Sequence, residues 1–281
     1  MTNDPAVPAY SQQFLPESIR ELTSMGPIAE INADWAWGGS TGRGVKVAVV
    51  DSGIEFDHPA VGGMVRGGVA IEFDENFENN LRYDADDQPV DVAGHGTACA
   101  GIIHALAPEA ELYSVRVLGK NMGGKAIQFA GGLDWAVENG MDLANLSLST
   151  SRQEYYGMFH EITDDAYFKN VILVSAVNNI PAPSYPSLYS SVISVAAHAG
   201  KDPFTYYYNP KPPVEFGAPG IDVRVAWKNR QYWTTTGNSF AAPHITGIVA
   251  LIRAKHPKLT PFQVKTVLWA CAANVNRIET G

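Results

Sequence analysis

Three residues that lie far apart in this sequence of 281 residues have the types that nucleophilic catalysis needs. Asp51 ends an apolar run, His95 begins His-Gly-Thr, and Ser239 precedes an apolar helical stretch. A serine hydroxyl is a poor nucleophile near neutral pH, so it needs a base to take its proton and an anion to orient and stabilise that base. A lone His or Asp is usually structural, but the residues that flank these three favour Ser239 as nucleophile, His95 as base and Asp51 as anion.

The segments around these residues carry a family resemblance. Residues 47–54 read Val-Ala-Val-Val-Asp-Ser-Gly-Ile, residues 95–101 read His-Gly-Thr-Ala-Cys-Ala-Gly, and residues 237–244 read Gly-Asn-Ser-Phe-Ala-Ala-Pro-His. With Asn-Leu-Ser-Leu at 145–148 and Val-Ser-Ala-Val-Asn-Asn at 174–179, they resemble the subtilisin-like serine proteases, or subtilases, over most of the chain. The order Asp, His, Ser is also that family's order. The resemblance implies a serine endopeptidase that hydrolyses peptide bonds through an acyl-enzyme intermediate.

The resemblance also implies how the oxyanion would be bound. One donor would be the backbone N–H of Ser239, and the other would be the side-chain amide of Asn179. Asn178 stands where the family commonly has Gly, and Asn is the best substitute if that position needs a positive φ. Asn238 replaces the family's usual Thr and could offer its own amide to the oxyanion.

The same resemblance implies that the substrate is a peptide or protein bound as an extended strand. Its backbone would pair with residues 122–124 and 147–149, an arrangement in which main chain gives affinity and pockets give specificity. Residues 147–149 and 175–177 would form the S1 walls, where no acid stands, so the P1 residue should be uncharged. The expected substrate-binding residues are Gly123, Gly124, Ser147, Leu148, Ser149, Ser175, Ala176 and Val177.

Acidic residues are concentrated between residues 72 and 91, with Arg82 as the one base among them. The segment reads either as a solvated acidic loop or as a surface that attracts basic substrate residues or a metal. Its last member, Asp91, precedes His95, where the resemblance implies proximity to the S2 subsite and the primed side. We expect Asp91 to bind substrate and to favour Lys or Arg beside the scissile bond, unless it is a solvated or capping carboxylate.

Two further features concern cofactors and thiols. Residues 101–108 follow the His motif without the inserted loop that wraps the strong calcium site of many subtilases, and Ala60 replaces the Asp that usually follows His-Pro. We therefore expect no cofactor and no strong calcium site. Cys99 and Cys271 read as buried reduced thiols rather than a disulfide, and the resemblance implies that Cys99 packs beneath the His95 ring.

Apolar runs alternate with stretches of helical periodicity along the chain. Continuous apolar runs suit a parallel sheet covered on both faces, so we predict a three-layer α/β/α domain with a mostly parallel central sheet. We place this domain at residues 41–281, after an N-terminal arm at residues 1–40 that packs on the body. The predicted strands are 45–50, 111–118, 143–148, 171–177 and 192–197, and the predicted helices are 96–105, 125–139, 239–255 and 261–272.

Bulk composition disfavours several function classes. The net charge of −9 disfavours nucleic acid as a partner, and no apolar run approaches the roughly 18 to 20 residues of a membrane span. The first residues lack the basic start and apolar stretch of a signal peptide, which favours the cytoplasm, with secretion open for a trimmed chain. A dedicated maturation protease for one partner protein or leader peptide, and a catalytically silent peptide-binding module, are the alternatives to a general endopeptidase.

Overall fold

The computed structural model describes residues 31–275, and its strands form one large sheet and one small ribbon. The strands are β1 Lys46–Asp51, β2 Val65–Phe73, β3 Leu81–Asp86, β4 Glu111–Arg116, β5 Leu143–Leu146, β6 Ile172–Ala176, β7 Ile193–His198, β8 Tyr207–Tyr208, β9 Phe216–Pro219, β10 Val223–Trp227 and β11 Gln231–Thr235. The large sheet has the order β3-β2-β4-β1-β5-β6-β7-β9-β8, and β10 pairs with β11 in the ribbon. All pairs in the sheet are parallel except the outermost, β2 with β3 and β8 with β9.

Helices cover both faces of the sheet. They are α1 Ala33–Trp37, α2 His95–Leu106, α3 Ala126–Glu138, α4 Tyr156–Phe168, α5 Asn238–Lys255 and α6 Pro261–Cys271. The pair α2 and α5 packs on one face, and the pair α3 and α4 packs on the other. The predicted three-layer α/β/α architecture is therefore confirmed. Across residues 31–275, every helix is too short or too polar to traverse a lipid bilayer.

The interior strands and α5 were predictable because they are apolar on every side. Five of the six residues of β1 and all of those in β5 and β6 are buried, as strands covered on both faces must be. The helix α5 buries a continuous run from Phe240 to Arg253. The start of α6 is also as predicted, since Thr260 and Gln263 form a capping box with Pro261 at the first helical position.

The acidic segment is only partly a loop. Glu72, Asp84 and Asp86 belong to β2 and β3, an antiparallel hairpin at the edge of the sheet, and its other acids lie on the connections that follow these two strands. Several of its acids are paired with bases: Glu72 lies 2.7 Å from Arg116, and Asp84 lies 2.9 Å from Arg82. Charge on an edge strand opposes pairing with another chain, which gives these acids a structural reason that needs no ligand.

The last part of the predicted arm is in contact with the body. Lys255 Nζ donates to the backbone carbonyls of Asp34 and Gly38 at 2.6 and 2.8 Å, and Trp35 stacks on His256 with ring centroids 4.1 Å apart. The compact unit that contains the sheet begins at Asn32, a little before the predicted boundary at residue 41. Residues 1–30 of the arm lie outside the described residues.

Candidate active site

Asp51 and His95 form a buried pair at the carboxyl end of a central strand. Asp51 is the last residue of β1, and His95 is the first residue of α2. His95 Nδ1 lies 2.9 Å from each carboxylate oxygen of Asp51, and Asp51 Oδ1 also accepts the backbone N–H of Ser52 at 2.7 Å. Asp51 is wholly buried and His95 is 8% exposed. Because Nδ1 is held on the carboxylate, Nε2 is the ring nitrogen available for proton transfer.

Opposing effects set the pKa of His95. Burial lowers this pKa, while the charge of Asp51, the thiol of Cys99 and the hydrogen bonds to both raise it. The balance leaves the pKa of His95 well above its ordinary value of 6.5. The imidazole is therefore a strong base for its type, and its neutral form predominates only at pH above that raised pKa.

Asp91 holds together the two loops that carry this pair. Its Oδ1 accepts a hydrogen bond from Ser52 Oγ at 2.8 Å and from two backbone N–H groups just before His95, at 2.9 and 2.6 Å. Its Oδ2 accepts the N–H and the hydroxyl of Thr97 at 2.8 and 2.7 Å. One carboxylate thus connects the residue after Asp51 to the residues on both sides of His95.

The structure corrects the expectation that Asp91 attracts Lys or Arg in the substrate. Its two oxygens already accept five hydrogen bonds, and the residue does not line the substrate groove. A carboxylate with both oxygens occupied in this way has little left to offer a substrate cation. Asp91 is the capping carboxylate of the alternative interpretation.

Two glycines allow these loops to approach so closely. Gly53 has φ 105° and Gly94 has φ 107°, a region that residues with a Cβ rarely adopt. A Cβ on Gly53 would lie 2.2 Å from the Val90 carbonyl oxygen, and one on Gly94 would lie 2.6 Å from the Trp227 indole. Both positions therefore require glycine for conformation and for space.

The backbone carbonyl of Ser239 is held by a network of buried polar side chains. Ser239 lies in the first turn of α5, and its carbonyl accepts the hydroxyl of Ser147 at 2.8 Å and the thiol of Cys99 at 3.5 Å. The Ser147 hydroxyl in turn accepts the amide of Asn145 at 3.0 Å. Ser239 and His95 line the same groove. The network fixes the backbone of the serine against the end of β5.

Cys99 lies beneath the buried pair, as the sequence suggested. Its Sγ is 3.8 Å from Asp51 Oδ2 and 3.3 Å from Ser147 Oγ. Burial raises the pKa of the Cys99 thiol, so the sulfur stays protonated and is a poor nucleophile. Cys271, by contrast, is half-buried rather than buried.

Asn179 occupies the mouth of the groove with one half of its amide unused. Its Oδ1 accepts the backbone N–H of Asn238 at 2.9 Å, and no acceptor for its Nδ2 lies among residues 31–275. Asn178, next to it, does not have a positive φ; its Oδ1 accepts the N–H of Ile180 at 3.2 Å. The idea that this position needs a glycine-like conformation is therefore wrong for this chain, and Asn fits it without strain.

Asn238 has a positioning role instead of the expected oxyanion role. Its Nδ2 donates to the carbonyls of Val177 and Asn178 at 3.2 and 3.0 Å, and its Oδ1 accepts the N–H of Ala197 at 2.9 Å. The side chain ties residues 177–179 to α5 and β7. Since both of its donor hydrogens point at carbonyls, the amide is not available to an oxyanion.

A groove with a volume of about 1040 Å³ extends from His95 and Ser239. Most of the predicted substrate-binding residues line it: Gly123, Gly124, Ser147, Leu148, Ser149, Ala176 and Val177. Asp91 and Ser175 are the exceptions. Asp91 lies outside the groove, as described above, and Ser175 is wholly buried with its hydroxyl turned to the Ala176 carbonyl at 3.4 Å.

Further residues that the sequence did not reveal also line the groove, among them Phe73, Lys125, Arg152 and Tyr155. Lys125 and Arg152 follow closely on the predicted backbone-binding segments, so their position in the chain could have revealed them. Phe73 ends β2 and reaches the groove only through the order of the strands.

Comparison with known proteins gives one consistent result. The sequence pattern described as the Subtilase family (peptidase S8) matches residues 42–280. The minor extracellular protease Epr of Bacillus subtilis (strain 168) is 33% identical, and the match covers 85% of this chain and 36% of that protein. Subtilisin Savinase of Lederbergia lenta is 33% identical, with 82% and 84% covered. M-protease of Shouchella clausii (strain KSM-K16) is also 33% identical, with 93% and 73% covered.

Solved structures give the same result in three dimensions. The crystal structure of a cold adapted subtilisin-like serine proteinase superimposes with a TM-score of 0.68 at 27% identity, covering 83% of each chain. The S41 psychrophilic protease superimposes with a TM-score of 0.66 at 26% identity, covering 85% of this chain and 88% of that one.

The position of Asp51 predicts a titration that can be measured directly. In an NMR titration we expect the pKa of His95 to lie above 6.5, and we expect Asp51→Asn to lower it because the buried imidazolium loses its counter-ion. His244, whose pKa burial lowers to about 4, serves as the internal control and should not change. A wild-type pKa of His95 below 6.5, or one that the substitution leaves unchanged, would contradict this account of the pair.

Removing Asp91 should loosen the segment after Asp51 and the segment around His95 at once. We expect Asp91→Ala to lower the free energy of unfolding by about 2–4 kcal/mol, because several donors lose a charged acceptor, and to lower kcat more than it raises KM. Asp87→Ala is the matched control, since Asp87 is an exposed acid of the same segment. Denaturant unfolding and peptidase kinetics measure the two effects. An Asp91→Ala variant as stable and as active as the control would show that the bonds are dispensable.

Proposed function

Because this chain belongs to the subtilase family and is a serine endopeptidase, we propose that Asp51, His95 and Ser239 are its catalytic triad. One observation carries the proposal: the buried pair of His95 and Asp51, joined at 2.9 Å, opens on the same groove that Ser239 lines. The raised pKa of His95 supports its role as the base. In this assignment Asp51 fixes the tautomer of His95 and stabilises the imidazolium.

Each residue of the triad has a defined step. Ser239 Oγ attacks the carbonyl carbon of the scissile peptide bond while His95 Nε2 takes the hydroxyl proton. His95 then returns that proton to the leaving amine, and an acyl-enzyme remains on Ser239. Water, activated by the same imidazole, hydrolyses the ester and restores the serine.

We assign the second oxyanion donor to the side chain of Asn179. Its Oδ1 is held by the backbone N–H of Asn238, so its Nδ2 is the half of the amide left to donate. The first donor is the backbone N–H of Ser239 at the N-terminus of α5, where unpaired N–H groups favour negative charge. Asn238 supports this arrangement by fixing the loop that carries Asn179.

The sheet order explains why the groove suits an extended peptide. Residues 122–125, the first wall, follow β4, and residues 147–152, the second wall, follow β5. These two strands flank β1 on opposite sides. Neighbouring strands lie about 4.8 Å apart, so two strands separated by a third leave a slot of roughly 9–10 Å. One extended chain fits this slot and can hydrogen-bond to both walls, which is strand addition to a preformed site.

The cellular location stays a prediction. We expected the cytoplasm, whereas the relative from Bacillus subtilis is named an extracellular protease. A protease with an open slot of this kind should cut many unfolded proteins, so we propose a general endopeptidase. Cleavage of unfolded casein separates this reading from a protease dedicated to one partner.

The nucleophile can be tested without knowing the substrate. We expect Ser239→Ala to lower kcat by about 10⁶, to abolish covalent labelling by a fluorophosphonate, and to leave the fold intact. Ser151→Ala is the control, because Ser151 lines the same groove and should keep full labelling. Labelling that persists in the Ser239→Ala protein would refute the assignment.

We also propose that the fold needs no calcium at the site common in the family. The residues present do not fit one there: Ala60 supplies no side-chain oxygen, and its Cβ lies close beside Gly101 of α2. The chain then passes from α2 to β4 through a tight turn, in which the Ala110 N–H donates to the Ala107 carbonyl at 3.1 Å. No loop remains there to surround an ion.

Chelation tests this directly. Strong chelators should lower the melting temperature by less than about 2 °C, because the proposal leaves no tight site to empty. Emptying a tight site would necessarily destabilise the folded state by mass action. The control is a titration of Ca²⁺ into the chelated protein, which should have no effect. A fall of more than about 10 °C that Ca²⁺ reverses would contradict the proposal.

A further inference from the structure

The charge of the substrate groove is opposite to that of the chain. The protein has 29 acidic and 20 basic residues, yet the groove has two basic residues in its lining, Lys125 and Arg152, and no Asp or Glu among the described residues that line it. The acidic side chains that the structure describes therefore lie outside the groove, and the surface against which a substrate would lie is positively charged.

The two cations belong to opposite walls. Lys125 ends the first wall, directly after Gly123 and Gly124, and Arg152 ends the second wall, beyond Ser147. Ser147 marks the catalytic end of its wall, because its hydroxyl contacts the carbonyl of Ser239. A substrate strand that runs along both walls therefore passes from the nucleophile toward the two cations.

The side chain of Lys125 is held in place without being neutralised. Its Nζ lies over the face of the Phe73 ring, and its backbone N–H donates to Gln128 Oε1 at 2.9 Å. Within residues 31–275, no carboxylate lies within ion-pair distance of this ammonium. A ring covers one side of the ammonium only, so the other hydrogens can still reach an anion.

Arg152 can bind the same substrate anion as Lys125, although more weakly because it already pairs with a carboxylate. It lies 3.2 Å from Glu154, and both side chains are largely exposed. An exposed pair of this kind contributes little and is easily exchanged for another carboxylate. A guanidinium can also bind a carboxylate through two parallel hydrogen bonds, which suits capture of a passing Asp or Glu.

We propose that this groove selects peptides with an acidic side chain, held between Lys125 and Arg152, several residues before the scissile bond. The inference rests on the proposed function and adds the substrate class. Side chains of an extended peptide alternate between the two sides of the strand. The preference for an acidic residue should therefore be confined to one substrate position, or to two positions that are two residues apart. Positions next to the bond face Ser239 and His95 and should not.

The test uses quenched fluorescent peptides with Glu, Gln or Lys at each of six positions before one scissile bond. At low salt we expect Glu to exceed Gln about five- to tenfold in kcat/KM at the selected position, with Lys below Gln. Salt at about 0.5 M should reduce the preference, since exposed pairs are screened. Lys125→Gln with Arg152→Gln should abolish it, and Lys125→Glu should turn it toward Lys.

Lys120→Gln is the matched control. Lys120 is exposed on the same connection as Lys125 but does not line the groove, so its substitution removes a positive charge outside the groove and should leave the preference intact. Identical Glu, Gln and Lys profiles in wild type and in the double variant overturn the proposal, as does equal loss in the Lys120→Gln control. Absent cleavage of every peptide together with absent fluorophosphonate labelling would instead refute the triad.

Discussion

The interaction on which the rest of this site depends is the burial of one carboxylate. Asp51 is wholly enclosed, and an enclosed charge without partners would destabilise the fold by several kcal/mol or lose its charge. His95 and the N–H of Ser52 compensate it. Both partners must be held in place, and this explains why Asp91 binds the loops on either side and why glycine stands at two points of close approach. The buried carboxylate thus both raises the pKa of His95, the proposed base, and requires that the residues around the pair be held in place.

The residues of the proposed triad stood out in the sequence because each lies within a short run of characteristic neighbours. Ser-Gly follows Asp51, Gly-Thr follows His95 and an apolar helical stretch follows Ser239, so each motif can be recognised before its distant contacts are known. The role of Asn238 was misjudged because its partners are distant: it bonds to Asn178 across 60 positions. Four of the five donors to Asp91 lie within six positions, but the sequence does not show how the chain turns there, and the fifth donor, Ser52, is 39 positions away. In each case the sequence showed which polar side chain was present, but not which groups would use up its hydrogen-bonding capacity.

The same contrast separates the strands that were predicted from those that were not. Interior strands such as β5 and β6 are apolar throughout and need no partner to be recognised. The edge hairpin of β2 and β3 is partly exposed and rich in acids, so its pattern resembles a solvated loop until its antiparallel pairing is known. Phe73 reaches the groove from this hairpin, and its place there could not be foreseen without the strand order.

The slot between the two walls has a consequence for the proteins that this enzyme meets. In the proposed binding mode a segment enters it only as a single unpaired strand, so a helix, a turn or a strand already hydrogen-bonded in a sheet must first be released from its own structure. Folded proteins open locally with free energies that range from near zero in loops to the full unfolding free energy in their cores. When opening is fast, cleavage follows the population of the open form. Because the slot is so narrow, the rate at which this enzyme cleaves a site should depend on the local unfolding free energy of the target there, and segments that stay folded should be spared.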